Sequence, residues 1–394
     1  MLSTYSSLRK LFSNSKFHYS IGLFLLSVLQ LWSTWKGMGK TYDSFHYLEA
    51  AQSLIQTKGA INSQSYMTWA LGFPFLLTLF NDSILLNLFC LLGSYTFYFH
   101  LSEKLFQSTT TKWWLTLAFA FATPLYLIHH FVWSEAPFVL FILGCIWSFY
   151  FLNETYFSKR YILLFSLFGF LFMSMRNAGL YFVTSINTGI FLFYILPLVY
   201  KKEKKIRFLI TNIYTKVLIL FSVFSSVSIF FWWLRAKPTT AGKFATMYSL
   251  AERTFSEEII NYGDILSRWL VPPSIPLTFR LVFFCVFLVS FGIAFFIIFI
   301  KYSKENTSKT SQFIFFIAWI VSFYLIGMLI TRTGMRVDVE RYLAILYPFL
   351  CIIIGYIVEK TPIRLTIKYT IAFLWLIYPL LRTLKNIIFW NAVS

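Results

Sequence analysis

The sequence predicts an all-α polytopic membrane protein of about 11 transmembrane helices (roughly 10–12), built as a single transmembrane domain. Three observations predict it. Of the 394 residues, 58% are apolar and 12% are charged, against a charged share of about 25% in soluble domains. The apolar residues come in long runs, many near the ~20 residues that cross a bilayer. The basic residues behind the net charge of +19 punctuate those runs and do not gather on a polar face. A soluble domain of this size has too little interior for so much apolar surface. Disordered chains are apolar-poor, and nucleic-acid binders carry a basic face. All three classes are excluded, so no nucleic-acid partner is expected. Cys90, Cys145, Cys285 and Cys351 lie in apolar runs with no CxxC spacing, which argues against a disulfide framework or a zinc site.

The elements follow in order. Arg9, Lys10 and Lys16 precede an apolar stretch at 19–32 that lacks a small-residue cleavage site. It is read as a retained first span with the N-terminus in the cytosol. Further spans are expected at about 83–101, 113–132, 136–152, 161–175, 178–199, 208–232, 281–300, 311–331, 343–358 and 369–383. The apolar piece at 70–80 is too short to cross and is expected to be re-entrant or interfacial. This arrangement sorts the charges. Of 34 basic residues, 19 fall on the cytosolic side with five acids, a balance of +14. The outer side holds 15 basic residues and ten acids, a balance of +5. The bias has the sign that positive-inside topology requires. Nine of the outer basic residues are Arg, against four on the cytosolic side. Lysine suffices for topology, whereas arginine serves where a planar fork holds phosphate or carboxylate. The chemistry is therefore expected on the outer face.

Three outer segments exceed short loops: about 36–81, about 235–280, and 331–342. In the first, Tyr47, Leu48, Ala51, Leu54 and Ile55 fall at helical spacing. They predict an amphipathic interfacial helix over 44–56, N-capped by Ser44 or Asp43 and ended at Lys58-Gly59. Asp43 then sits at the membrane–water boundary, and His46, three residues on, shares its helical face. In the second, Phe244, Met247, Tyr248, Ala251, Phe255, Ile259 and Tyr262 predict another interfacial helix. Pro272-Pro273-Ser274-Ile275-Pro276 is expected to be a stiff extended stretch. Glu135 opens a span, where a carboxylate is expensive and usually purposeful; the plainer reading is a charge favoured by the helix dipole. His129 and His130 are adjacent and cannot share a helical face, which argues against a two-His metal site.

These motifs resemble the GT-C superfamily of integral-membrane glycosyltransferases, among them polyprenyl- and dolichyl-phosphate-mannose-type and aminoarabinose-type transferases. The matching features are Asp43 within Asp43-Ser44-Phe45-His46-Tyr47-Leu48-Glu49-Ala50-Ala51, the Gly72-Phe73-Pro74 re-entry, Trp133-Ser134-Glu135-Ala136-Pro137, and Arg341-Tyr342-Leu343 with Pro348. Their order along most of the chain carries the likeness. The resemblance implies transfer of a sugar from a polyprenyl-phosphate-sugar donor to a lipid, glycan or protein acceptor, at the outer face of a bacterial plasma (inner) membrane and among its lipids. It implies inversion at the anomeric carbon with Asp43 as general base. Arg341, Arg176, Arg336 and Arg332 would hold the donor phosphate, and Glu135, His46, Tyr47 and His130 the sugar or acceptor. No second acid follows Asp43 in a D-x-D pattern, so no metal ligand is assigned and divalent-metal dependence stays open. The competing functions are a transporter or flippase for lipid-linked glycans, and a polymerase or ligase of another membrane fold.

Overall fold

The computed structural model describes residues 14–56, 70–155, 157–201, 212–235, 254–304, 309–331, 339–362 and 364–393. They form an all-α, multi-pass membrane protein, and among them the only β-type pairing is one isolated bridge. The first helices are α1 (Ser15–Ser33), α2 (Tyr42–Gln56), α3 (Gly72–Phe80), α4 (Ser83–Leu105), α5 (Thr109–Ala120) and α6 (Thr123–His130). Then come α7 (Glu135–Glu154), α8 (Lys159–Met175) and α9 (Gly179–Ile190), which runs through a π-helical turn at Phe191–Ile195 into α10 (Leu196–Lys201). The rest are α11 (Ile213–Arg235), α12 (Phe255–Ser267), α13 (Leu277–Lys304), α14 (Lys309–Thr331), α15 (Val339–Ala344), α16 (Tyr347–Lys360) and α17 (Leu365–Val393). Seven of the described helical stretches are long and apolar enough to cross a membrane: α4, α7, α9 with α10, α11, α13, α14 and α17.

Helix α7 is the centre. It is apolar all round, as a helix enclosed on every side must be, and Phe138, Val139, Ile142, Leu143, Cys145 and Phe149 have no or almost no exposure. It packs between α4 and α8, and α8 packs in turn on α11. At the margin, α13 turns Phe279, Val282, Val286, Val289 and Phe296 outward. An exposed face of that kind belongs in hydrocarbon.

The expected single span at 113–132 is broken, with α5 ending at Ala120 and α6 starting at Thr123. Pro124 has no N–H and its ring clashes with the preceding turn, so it opens a new helix. The break meets a second proline, Pro379 inside α17. Thr123 donates to Pro379 O at 3.2 Å, and Thr383 donates to Phe121 O at 3.0 Å. Hydroxyls thus serve a carbonyl beside each proline. The last span is also longer than 369–383. Helix α17 continues to Val393, where Asn391 donates to Trp32 O at 2.8 Å. The end of α17 therefore lies at the same end of the bundle as the end of α1. The short stretch at 70–80 is helix α3, of nine residues, as its length required.

Candidate functional site

Helix α2 starts two residues earlier than expected, and neither Asp43 nor Ser44 is its N-cap. The Ser44 hydroxyl instead accepts from Thr41 N at 3.0 Å, which satisfies the backbone just ahead of the helix. The Asp43 carboxylate, in the first turn, is thereby left to point elsewhere.

The wall it faces is the segment between α6 and α7. Gly39 bridges to it in parallel, with Gly39 N donating to His130 O at 3.0 Å and Val132 N to Gly39 O at 3.2 Å. Only glycine fits there, because a Cβ on residue 39 would stand 2.5 Å from the Phe131 ring. Two buried amides hold the same segment. Gln30 of α1 donates to His129 O at 2.8 Å, and Asn87 of α4 donates to His129 O and Phe131 O at 3.0 Å each. Side-chain bonds then tie α2 to it: Trp133 Nε1 donates to Thr41 Oγ1 at 2.8 Å, and the Tyr47 and Ser134 hydroxyls meet at 3.0 Å. Burial pushes the Tyr47 phenol up from its ordinary pKa, against the lowering fields of Arg176 and Arg341. Tyr47 is therefore neutral and keeps its proton.

Glu135 is the first residue of α7 and is wholly buried. The helix N-terminus favours its charge, and two guanidiniums complete the compensation. Arg176, which caps the C-terminus of α8, and Arg341 of α15 both reach Glu135 Oε1. Arg341 Nη2 also reaches Asp43 Oδ2 at 2.7 Å. Four elements thus bring two acids and two arginines into one neutral cluster, which is what burial of charge demands. The Trp133 ring lies 4.6 Å from the Arg341 guanidinium carbon. The Tyr342 ring lies 4.7 Å from that of Arg176 and 5.4 Å from that of Arg341, at cation–π range. Glu135 Oε2 is buried and makes no hydrogen bond among the described residues.

Of the residues singled out in the sequence, Asp43, Glu135, Arg176 and Arg341 meet here, with Tyr47 beside them. His46 packs its ring on Tyr42 at 4.3 Å, with Nδ1 4.0 Å from Glu49. His130 is stacked on Trp390 at 4.4 Å and is 2% exposed, a core position. Arg332 and Arg336 lie outside the described residues, as do Phe244, Met247, Tyr248 and Ala251. Helix α12 begins at a capping box in which Thr254 and Glu257 bond reciprocally. The proline stretch that follows is not fully extended: Ile275 N donates to Pro272 O at 3.1 Å, a turn that proline at its second position favours. Among the described residues, no three His, Cys, Asp or Glu converge as a metal site would require.

Sequence reasoning missed the aromatic walls, Trp133 and Tyr342, although they stand two residues before Glu135 and next to Arg341 in the motifs. It also missed a second cluster, in which Asp264 pairs with Arg268 and Arg280, each at 2.6 Å, and Glu340 pairs with Arg382 at 2.7 Å. Glu340 and Arg341 are neighbours on α15, about 100° apart around the helix, so one short helix serves both clusters. No family model matches the chain, and no curated protein is significantly similar to it.

Proposed function

We propose that this protein is an inverting membrane glycosyltransferase of the GT-C type, moving a sugar from a polyprenyl-phosphate-linked donor to an acceptor at the outer face of the membrane. The observation that carries the reading is the convergence of Asp43, Glu135, Arg176 and Arg341 at one end of the bundle. That set holds what the reaction needs: a carboxylate at the rim, and forked cations that suit a phosphate. The acceptor hydroxyl or amine attacks the anomeric carbon and gives its proton to Asp43. The bond from that carbon to the phosphate oxygen breaks, and its electron pair leaves with the lipid phosphate. Arg341 and Arg176 stabilise that charge, with Arg332 and Arg336 assigned to the same task. Glu135 orients both arginines, and its second oxygen is available to a sugar hydroxyl. On this reading α1, α5 with α6, α8 and α16 join the seven long helices to make eleven spans, with the site facing outward.

The test is sugar transfer from a polyprenyl-phosphate-sugar to endogenous acceptor in membranes. Asp43→Asn is expected to lower turnover by about 100-fold or more while the protein still inserts. Unchanged turnover in a correctly inserted variant refutes the assignment of Asp43 as the base.

A further inference from the structure

We propose that Asp43 is the resident anion of Arg341, and that the donor's phosphate binds by displacing it, so that the base is released only when donor is in place. This rests on the glycosyl-transfer reading above and adds an order of events to it.

The cluster is already neutral, with two carboxylates against two guanidiniums. A phosphate entering it brings one more negative charge into a site where an uncompensated charge is expensive. One of the two carboxylates must then move out. Glu135 has no exposure and is gripped by both arginines at the start of α7. Asp43 keeps 17% of its side chain exposed, the largest share in the cluster, and contacts Arg341 through Nη2. It alone can turn to water without a helix moving. The geometry of Arg341 points the same way. Its Nε faces Glu135 and its Nη2 faces Asp43, so two different carboxylates share one edge of the planar guanidinium. Arginine engages phosphate through such an edge. Once the phosphate takes Nη2, the Asp43 carboxylate loses its cation and becomes free to accept the acceptor's proton.

The measurement is equilibrium binding of polyprenyl phosphate to purified protein in lipid nanodiscs, with uncharged polyprenol as the blank. Asp43→Asn removes the competing charge and is expected to bind polyprenyl phosphate on the order of tenfold more tightly than wild type. Glu49→Gln removes an equal charge from the exposed side of the same helix and is expected to leave the affinity unchanged. If Asp43→Asn does not fold, Asp43→Ser carries the same expectation. Equal or weaker binding by the Asp43 variant, with wild type still preferring the phosphate over polyprenol, overturns the displacement and leaves the glycosyl-transfer reading standing. Equal tightening by Glu49→Gln also overturns it, since bulk charge would then explain the gain. If neither wild type nor the variant prefers the phosphate, the glycosyl-transfer reading itself fails.

Discussion

Arg341 is 2% exposed and sits between Glu135, Asp43, Trp133 and Tyr342. Its planar fork answers two carboxylates while its faces meet aromatic rings, and no other side chain does both. Arg341→Lys keeps the charge but offers a single point of contact. Turnover is expected to fall about 100-fold, with a lower melting temperature for the purified protein, and an assay showing full activity would refute the role of the fork. At this scale much of the site was legible in the sequence. Glu135 and Arg341 each stand just ahead of an apolar run, where a charge is expensive enough to need a reason, and Asp43 opens the amphipathic helix of the first outer segment. Their pairing was not legible, because 206 residues separate Glu135 from Arg341. The positions of His46 and His130 were not legible either. Helical spacing says which side a residue takes, but it does not say that Trp390 waits there to stack on His130.

At the scale of elements, the segment that aims Trp133, Ser134 and Glu135 depends on two amides from helices far apart in the chain. Gln30 and Asn87 both donate to His129 O, and Asn87 alone reaches Phe131 O. Replacing one amide leaves the His129 carbonyl with one donor, and replacing both leaves it buried with neither. Asn87→Leu is expected to lower stability by about 1–3 kcal/mol, measured by thermal unfolding in detergent. Gln30→Leu combined with Asn87→Leu should lose more than the sum of the two single changes, by roughly 0.5–3 kcal/mol. Strict additivity would show that the two amides act independently. The helices themselves were largely foreseeable, since the long apolar runs became α4, α7, α9 with α10, α11, α13 and α14 within a few residues. The departures at 113–132 and 343–358 have one physical source: each run is split just ahead of a proline, Pro124 or Pro348, that sits in the first turn of the second helix. Pro379 is instead carried inside α17, a difference that hydropathy does not register.

At the scale of the molecule, charge and helix ends bear on the same question. Arg382, at the end of the last expected span, and Lys385, just beyond it, look out of place on an outer face ruled by positive-inside bias. The structure removes half of that difficulty: Arg382 is 2.7 Å from Glu340 and also donates to Arg268 O. A paired arginine is a structural clamp and adds little to the topology signal. Helix α17 also ends beside α1, with Asn391 bonded to Trp32 and Trp390 stacked on His130. Its C-terminal end therefore shares a side with the Asp43 cluster whichever way the protein is inserted. Eleven spans with a cytosolic N-terminus place both outside. Single cysteines at Val393 and at Ser158, the loop between α7 and α8, separate the outcomes. The background is favourable, because Cys90, Cys145 and Cys351 are buried and Cys285 lies on the apolar face of α13. A membrane-impermeant thiol reagent is expected to label V393C on intact cells and S158C only after permeabilisation. The reverse pattern would put the cluster in the cytosol and end the case for chemistry at the outer face. Labelling of both sites from outside would show that the number of spans between them is even, contrary to the path of the chain through α8 to α17.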